Sequence, residues 1–202
     1  MSLRTRGFSL LEIMVSMTLA LVVFGLTVSF LVSGFRYSGR FSAQGEIQQQ
    51  LAAAFSRMEM ELRTGTVTGL STASDGQGVI LSTVALEDLT SSGAARWSDH
   101  AVVFVWDKAT EKLWSKTWPP KPPVLAFVFD PVNLTPVPSS DLRAIADATN
   151  GTEKILAIGV QLFQVTSPPT SPLSITLRAS RNYNGGSVRF ELTRTVAMRN
   201  HT

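Results

Sequence analysis

A single carboxylate inside a long apolar stretch is the residue of this sequence that most needs a chemical explanation. Glu12 lies near the start of the stretch, and no charged residue occurs from Ile13 to Phe35. About 20 apolar residues suffice to cross a bilayer as a helix. An acid within such a helix is costly and is by default a functional-site hypothesis. Because a buried charge needs an opposite charge and hydrogen bonds beside it, Glu12 predicts a positively charged partner.

The residues that precede Glu12 complete a motif. Gly7 and Phe8 follow a short leader with two arginines, and Glu12 lies about one helical turn after Phe8. This combination resembles the cleavage and assembly motif of type IV prepilins and pseudopilins. The resemblance implies that a prepilin peptidase cuts between Gly7 and Phe8 and that the new Phe8 amine is methylated. Glu12 would then be the assembly glutamate that meets the amine of a neighbouring subunit. The alternative is an ordinary signal anchor with a stray glutamate.

The resemblance also implies a location and a set of partners. The leader, residues 1–7, would stay in the cytoplasm by the positive-inside tendency, although Arg36 and Arg40 on the far side partly oppose it. Because the proposed cut precedes the apolar helix, the helix would remain in the bacterial inner membrane with a periplasmic C-terminal domain. Its partners would be the prepilin peptidase, other pilins or pseudopilins in a filament, the inner-membrane assembly platform and membrane lipid.

A second candidate site alternates lysine and tryptophan along one predicted strand. Side chains two residues apart share a face of a strand, so all four would lie together. Basic and aromatic groups on a sheet face can bind single-stranded nucleic acid through phosphate contacts and base stacking. Alternatively, the tryptophans anchor the core or a subunit interface and the lysines extend along it; Asp107 and Glu111 dilute the charge and favour this alternative. The four residues are Lys112, Trp114, Lys116 and Trp118, with Trp106 and Lys108 expected across the hairpin.

The residue combinations of enzymes are not found. Asp99 and His100 adjoin serines, but neighbouring side chains of an extended chain point to opposite faces and would not pair as in a triad. The chain of 202 residues has no cysteine and two separated histidines, which argues against a zinc site. The acids Asp75, Glu87 and Asp88 are too scattered for a calcium loop. The sequence therefore predicts no catalytic residue, no cofactor and no metal.

One long helix is predicted to carry the N-terminal motif, from residue 8 to about residue 62, because no proline interrupts this region. Residues 8–35 would form the transmembrane and assembly helix, and residues 36–64 an amphipathic continuation. One apolar stripe with spacings of three and four predicts that the continuation packs on a globular domain. Arg63 and Gly65 predict the helix end. The stripe consists of Ile47, Leu51, Phe55, Met58 and Leu62.

Residues 65–202 are predicted to form a β-rich domain. A wholly apolar strand at 101–106 would be buried on both faces, and a turn at 107–110 would lead to its hairpin partner at 112–118. A second hairpin is expected around Asn184-Gly185-Gly186, a strong turn signal. Further expectations are strands at 79–81, 84–86 and 124–129, a loop at 94–100, a short helix at 141–148, and a strand at 155–165 whose change of phase suggests a bulge.

The predicted fold class is therefore α+β: a long N-terminal helix packed on antiparallel strands, which resembles the pilin fold. Residues 61–63 and 193–200 look like the minor pilin W and minor pseudopilin J group. The resemblance implies a structural minor subunit of a type IV pilus or of a type II secretion pseudopilus. The alternative function is a binding module for DNA or surfaces at a filament tip.

Overall fold

The computed structural model describes residues 9–89, 95–118, 139–148, 153–166, 172–183 and 186–198. The chain divides into two compact units, Met1–Ala43 and Gln44–Thr202. Helix α1 (Leu10–Thr64, 55 residues) contributes to both units. The single long helix predicted from the sequence is thereby confirmed, although Phe8 lies outside the described residues.

The end of α1 is set by glycine. Arg63 occupies the last turn, where a cation interacts favourably with the helix dipole. Gly65 then begins the first strand, and a Cβ atom at this position would lie 2.4 Å from Thr83 Oγ1 of the next strand. A larger residue here would require the Thr83 side chain to move, and its Cβ atom would also lie 3.3 Å from the carbonyl oxygen of Val84.

In the ranges that the structure describes, two antiparallel sheets follow the helix, which confirms the α+β class. The first contains five strands in the order β1-β2-β3-β4-β5, and the second contains three in the order β6-β7-β8. A short helix, α2 (Ser139–Asp147), lies between β4 and β5 in the chain. The strands are β1 (Gly65–Asp75), β2 (Gly78–Leu89), β3 (Ala95–Asp107), β4 (Lys112–Trp118), β5 (Lys154–Ile158), β6 (Val160–Val165), β7 (Leu173–Tyr183) and β8 (Gly186–Val196).

The loop predicted at 94–100 is wrong, because residues 95–100 are the first part of β3. Leu86 pairs with Trp97 and Leu89 pairs with Ala95, across a register that shifts twice. The two short strands predicted at 79–81 and 84–86 are parts of one strand, β2, because the backbone of both segments pairs with β3. Backbone pairing between β2 and β3 decides the structure here, whereas the polar residues of this segment had indicated a loop.

The single strand predicted at 155–165 is wrong, but the bulge is confirmed, because the pairing of β6 with β7 shifts its register between Val160 and Leu162. The segment forms two strands in different sheets, β5 and β6, and Gly159 separates them. Gly159 has φ of 69°, and a Cβ atom there would lie 2.6 Å from the carbonyl oxygen of Ser180. A left-handed conformation at a close backbone approach favours glycine. Gly159 therefore marks the passage from one sheet to the other, and the change of phase after Leu162 follows the bulge of β6.

Other sequence predictions are confirmed. The hairpin of β3 and β4 has Asp107 paired with Lys112, and α2 begins two residues before the predicted short helix. In the hairpin of β7 and β8, Tyr183 pairs with Gly186. Asn184 and Gly185 lie outside the described residues, as does the strand predicted at 124–129.

The main core lies between the second half of α1 and one face of each sheet. The predicted helical stripe is confirmed, since Ile47 is 3% exposed and Leu51, Phe55, Met58 and Leu62 are fully buried. The stripe shares a cluster with Phe104 and Leu113 of the first sheet and with Phe163 and Leu177 of the second. The Trp106 indole N–H also donates a 2.7 Å hydrogen bond to the carbonyl oxygen of Val160, which links β3 to β6.

A second, smaller core lies on the other face of the first sheet, where α2 covers it. Leu142 and Ile145 of the helix pack with Ile80, Val103 and Val105 of the sheet. Trp118 is a member of this cluster, and Trp114 packs against it. The wholly apolar strand predicted at 101–106 is explained by these two cores, because its alternate side chains enter one core or the other.

Candidate assembly segment and lysine–tryptophan face

The start of α1 is stabilised by a side-chain cap. Ser9 lies directly before the helix, and its Oγ accepts a hydrogen bond of 3.2 Å from the backbone N–H of Glu12. Serine at such a position followed three residues later by glutamate is the sequence pattern of a capping box, and the serine hydrogen bond of that motif is present here. Glu12 also stands in the first turn, where its negative charge is favoured by the helix dipole. The structure therefore gives Ser9 and Glu12 a local helix-starting role that the sequence analysis did not identify.

The Glu12 side chain is exposed. In the part of the chain that the structure describes, its carboxylate has no cationic or hydrogen-bonding partner. Gly7 and Phe8, the two residues of the predicted cleavage site, lie outside the described residues. Cleavage, Phe8 methylation and the Glu12 contact thus remain predictions.

The first part of α1 presents apolar side chains over its entire surface. Leu10, Phe24 and Phe30 are 78%, 66% and 79% exposed. Within the described ranges, α1 is the one helix long and apolar enough to cross a membrane, with a mean hydropathy of 2.3 and none of that window buried. The core helix of a soluble domain would be largely buried, so the exposure separates α1 from that case.

The four residues of the lysine–tryptophan face differ in accessibility. Lys112 is exposed and Trp114 is half-buried, but Lys116 and Trp118 are only 2% and 1% exposed. Their backbone pairing explains this: Trp114 pairs with Val105 and Lys116 with Val103, on the sheet face that α2 covers. Nucleic acid would have to reach phosphate-binding and stacking groups that are already enclosed. The geometry therefore gives no support to nucleic-acid binding by this face.

Trp106 does not join this face, although the sequence had placed it across the hairpin from the lysines. It pairs with Leu113, and both residues point into the main core beside α1. Trp106 lies across the hairpin as expected, but on the other face of the sheet, because its partner Leu113 is one position out of phase with Trp114 and Lys116. Strand alternation thus sends the tryptophans of the hairpin into two different cores.

Lys116 has a structural partner instead. Its Nζ donates hydrogen bonds of 3.0 and 2.8 Å to the carbonyl oxygens of Ala146 and Ala148, at the C-terminal end of α2. The same Nζ lies 5.4 and 5.8 Å from the ring centres of Trp114 and Trp118, within the range of cation–π attraction. Since α2 has no basic residue in its last turn, Lys116 supplies from β4 the cation that a helix end favours.

Burial makes the charged form of Lys116 less favourable than it would be in water. Burial lowers the pKa of its ammonium group, and the carboxylates of Glu153 and Asp147 act in the opposite direction. The two carbonyls and two indole rings replace part of the water that the ammonium group loses. This arrangement suits a fixed structural cation better than a ligand-binding one.

A second charged contact holds α2 to the same sheet. Arg143 donates to Asp75 through Nε and Nη2, at 2.8 and 2.6 Å. Asp75 also accepts from the backbone N–H groups of Gln77 and Gly78 in the turn between β1 and β2. The Arg143 hydrogen bond is the main cause of a lowered pKa at Asp75. These two residues are 68 positions apart, and no local pattern in the sequence could have paired them.

The comparisons with known proteins concern the N-terminal segment. Residues 3–28 match the family described as a prokaryotic N-terminal methylation motif. This match includes Gly7, Phe8 and Glu12, and it supports a precursor of the pilin or pseudopilin type. No curated protein and no solved structure matches the chain. The motif and the exposed apolar helix together support a membrane anchor at the N-terminal part of the chain.

Proposed function

We propose that this chain is a structural, non-catalytic minor pilin or pseudopilin of a type IV pilus or a type II secretion pseudopilus. A prepilin peptidase would remove residues 1–7 and methylate Phe8, and the subunit would wait in the inner membrane until an assembly platform inserts it into a filament. The observation that carries the proposal is the match over residues 3–28 on a helix whose apolar surface is entirely exposed.

The chemistry of assembly rests on Glu12. Cleavage after Gly7 would create a positively charged amine at Phe8, about one helical turn from Glu12. When apolar helices pack side by side, each charge is removed from water, and each needs the other to be tolerated. The amine of one subunit and the Glu12 carboxylate of its neighbour are a complementary pair. Because a misaligned helix would leave both charges unpaired, the pair would also fix the register between subunits.

The globular domain favours a minor subunit. The size of the chain and its proline-rich sequence between residues 119 and 138 favour a low-copy subunit over the repeated subunit of a filament wall. The similarity to the minor pilin W and pseudopilin J group rests on residues 61–63 and 193–200. In the structure, Arg194 of the second segment lies 3.6 Å from Glu59 and over the Phe55 ring, near the end of α1. Glu59 also pairs with Arg63 of the first segment, so one carboxylate contacts both segments.

The first test is the intact mass and N-terminal sequence of the membrane-extracted protein, made with and without a prepilin peptidase. We expect an N-terminus at Phe8 that depends on the peptidase and a mass about 14 Da above that of the cut chain, which corresponds to one methyl group. An uncut chain, or a cut after the apolar helix, would overturn the proposal.

The second test separates processing from assembly. Glu12→Gln removes the charge and keeps the size, so we expect normal cleavage but little protein in sheared filaments. Glu153→Gln, an exposed acid of the globular domain, is the matched control and should assemble normally. Equal incorporation of both variants would remove the assembly role of Glu12. A chain in stoichiometric excess over every other pilin in the filament would contradict a minor role.

A further inference from the structure

A compact basic and aromatic group follows the apolar part of α1. Ser33, Arg36, Tyr37 and Arg40 are three or four positions apart and therefore share one face of the helix. They line a shallow groove of about 330 Å³. All four side chains are exposed, and Tyr37 is 65% exposed. The whole group belongs to the first compact unit.

The two arginines of this group have no anionic partner on the helix. No acid stands three or four positions from Arg36 or Arg40, and neither forms an ion pair within the ranges that the structure describes. Like charges four residues apart on a helix repel each other. An anion between the two guanidinium groups would turn this repulsion into attraction. The groove therefore fits a negatively charged ligand.

The position of the group along the helix indicates where the negatively charged ligand lies. The uncharged run from Ile13 to Phe35 is about 34 Å long at 1.5 Å per residue, close to the roughly 30 Å of a bilayer's hydrocarbon core. Arg36 and Tyr37 would then stand at the level of the lipid headgroups. Tyrosine is enriched at this level, and arginine binds phosphate oxygens through two parallel hydrogen bonds.

We propose that Ser33, Arg36, Tyr37 and Arg40 bind the phosphate of an anionic phospholipid in the leaflet where the membrane helix emerges on its C-terminal side. The two guanidinium groups would hold the phosphate, and the two hydroxyl groups would donate to its remaining oxygens. The inference rests on the proposed membrane insertion of α1. It also explains how two arginines are tolerated on the side where the positive-inside tendency disfavours them, since a lipid phosphate neutralises them.

The test measures lipid binding to the full chain in detergent micelles. Native mass spectrometry would follow added phosphatidylglycerol and, separately, added phosphatidylcholine. We expect the wild-type chain to bind the anionic lipid about tenfold more tightly, which corresponds to about 1.4 kcal/mol. In Arg36→Gln with Arg40→Gln the preference should disappear. Lys108→Gln with Arg189→Gln removes the same charge from two exposed residues of the globular unit and should keep the preference.

The outcomes separate the alternatives. Equal loss in both double variants would show a non-specific charge effect and overturn the site. Full displacement of the lipid by inorganic phosphate would also overturn it, because the ligand would then be a free anion. If the double variant does not insert, Tyr37→Phe and Arg40→Gln are the milder variants, and each should lower the preference severalfold; an unchanged preference in both would refute the site.

The result can be read separately from the proposed function. Peptidase processing is scored by mass and does not involve these four residues. A chain that is not cut but still prefers anionic lipid would support the lipid site and refute the pilin pathway. A chain that is cut at Phe8 but shows no lipid preference would support the pilin pathway and refute the lipid site.

Discussion

The two halves of α1 differ in the burial of their apolar side chains, although they form one uninterrupted helix. In the first half, apolar side chains point in every direction and none of the membrane-spanning window is buried. In the second half, the apolar residues form one stripe, and all five of its members are at most 3% exposed. The apolar stripe of the second half packs against the sheets of its own chain. The first half has a surface whose partners, lipid or other helices, have to come from outside.

The difference between the two halves is tested most strongly by the same substitution, phenylalanine to alanine, made once in each half. Phe55 is fully buried and Phe30 is 79% exposed. Phe55→Ala should lower the free energy of unfolding by about 3–5 kcal/mol through the cavity that it leaves. Phe30→Ala should change it by less than about 0.5 kcal/mol. Urea unfolding of the full chain in detergent, followed by the fluorescence of the four tryptophans, measures both. Equal effects would show that the halves do not differ as described.

Glycine gives a second contrast between the same regions. At Gly78, a Cβ atom would lie 1.8 Å from the carbonyl oxygen of Trp106, whereas at Gly25 it would meet nothing within 4 Å. Gly78→Ala should destabilise the domain by about 3 kcal/mol because the backbones of β2 and β3 would have to separate. Gly25→Ala should leave the globular domain unchanged and favour the helix by up to about 1 kcal/mol. Tolerance of Gly78→Ala in the same unfolding experiment would contradict the close approach of the strands.

Within the globular unit, Lys116 allows a buried charge to be compared with the buried apolar side chains. Lys116→Met should lower stability by about 1 kcal/mol near neutral pH, since two helix-terminal carbonyls lose their donor. The pKa of Lys116 is lower in the folded state, so above that folded pKa the unfolded chain binds more protons. Stability of the wild type should therefore rise with pH between the folded pKa and 10.5, the ordinary value.

The Met variant has no proton to lose at this position and should lack that rise. Urea unfolding of both chains over the alkaline range would show the difference. Parallel pH profiles would indicate that Lys116 is not a buried cation. Loss of more than the expected stability would instead indicate that α2 depends on this contact for its position.

The ion pair of Asp75 and Arg143 should give the smallest effect, because Asp75 is 42% exposed at its side chain. Asp75→Asn should cost about 0.5–1 kcal/mol at neutral pH. The pKa of Asp75 is lowered by folding, so its contribution is complete above 3.8 and is lost as pH falls through the lower folded value. The difference between wild type and variant should therefore shrink below pH 3.8. A difference that persists at more acidic pH would assign the effect to the turn and not to the ion pair.

Sequence reasoning succeeded where structure is decided by neighbours in the chain. The stripe from Ile47 to Leu62 and the hairpin turn at 107–110 follow from local spacing and turn chemistry. It failed at residues 95–100, where distant pairing with β2 overrides local polarity. The bulge near Leu162 was detected as a change of phase, but the passage between sheets at Gly159 was not, because the sequence of a strand does not reveal which sheet it joins.

The candidate site shows the same division. The motif around Glu12 is contiguous, so the sequence contained it completely. The role of Lys116 depends on α2, which lies about 30 positions later, and the expected surface proved to be an interior contact. A lysine between two tryptophans on one strand face was a usable signal, but its partner could be known only from the fold.

The main core also sets an order of events during synthesis. It unites Ile47 with Val196 and Met198, which are made much later than the helix. The apolar stripe of α1 therefore leaves the ribosome well before β8 and stays partly uncovered until β8 has followed. Contacts of such long range make folding slow and expose a nascent chain to aggregation. A chain truncated before β8 should consequently be a substrate for chaperones and proteases, even though its helix and its first sheet are complete in sequence.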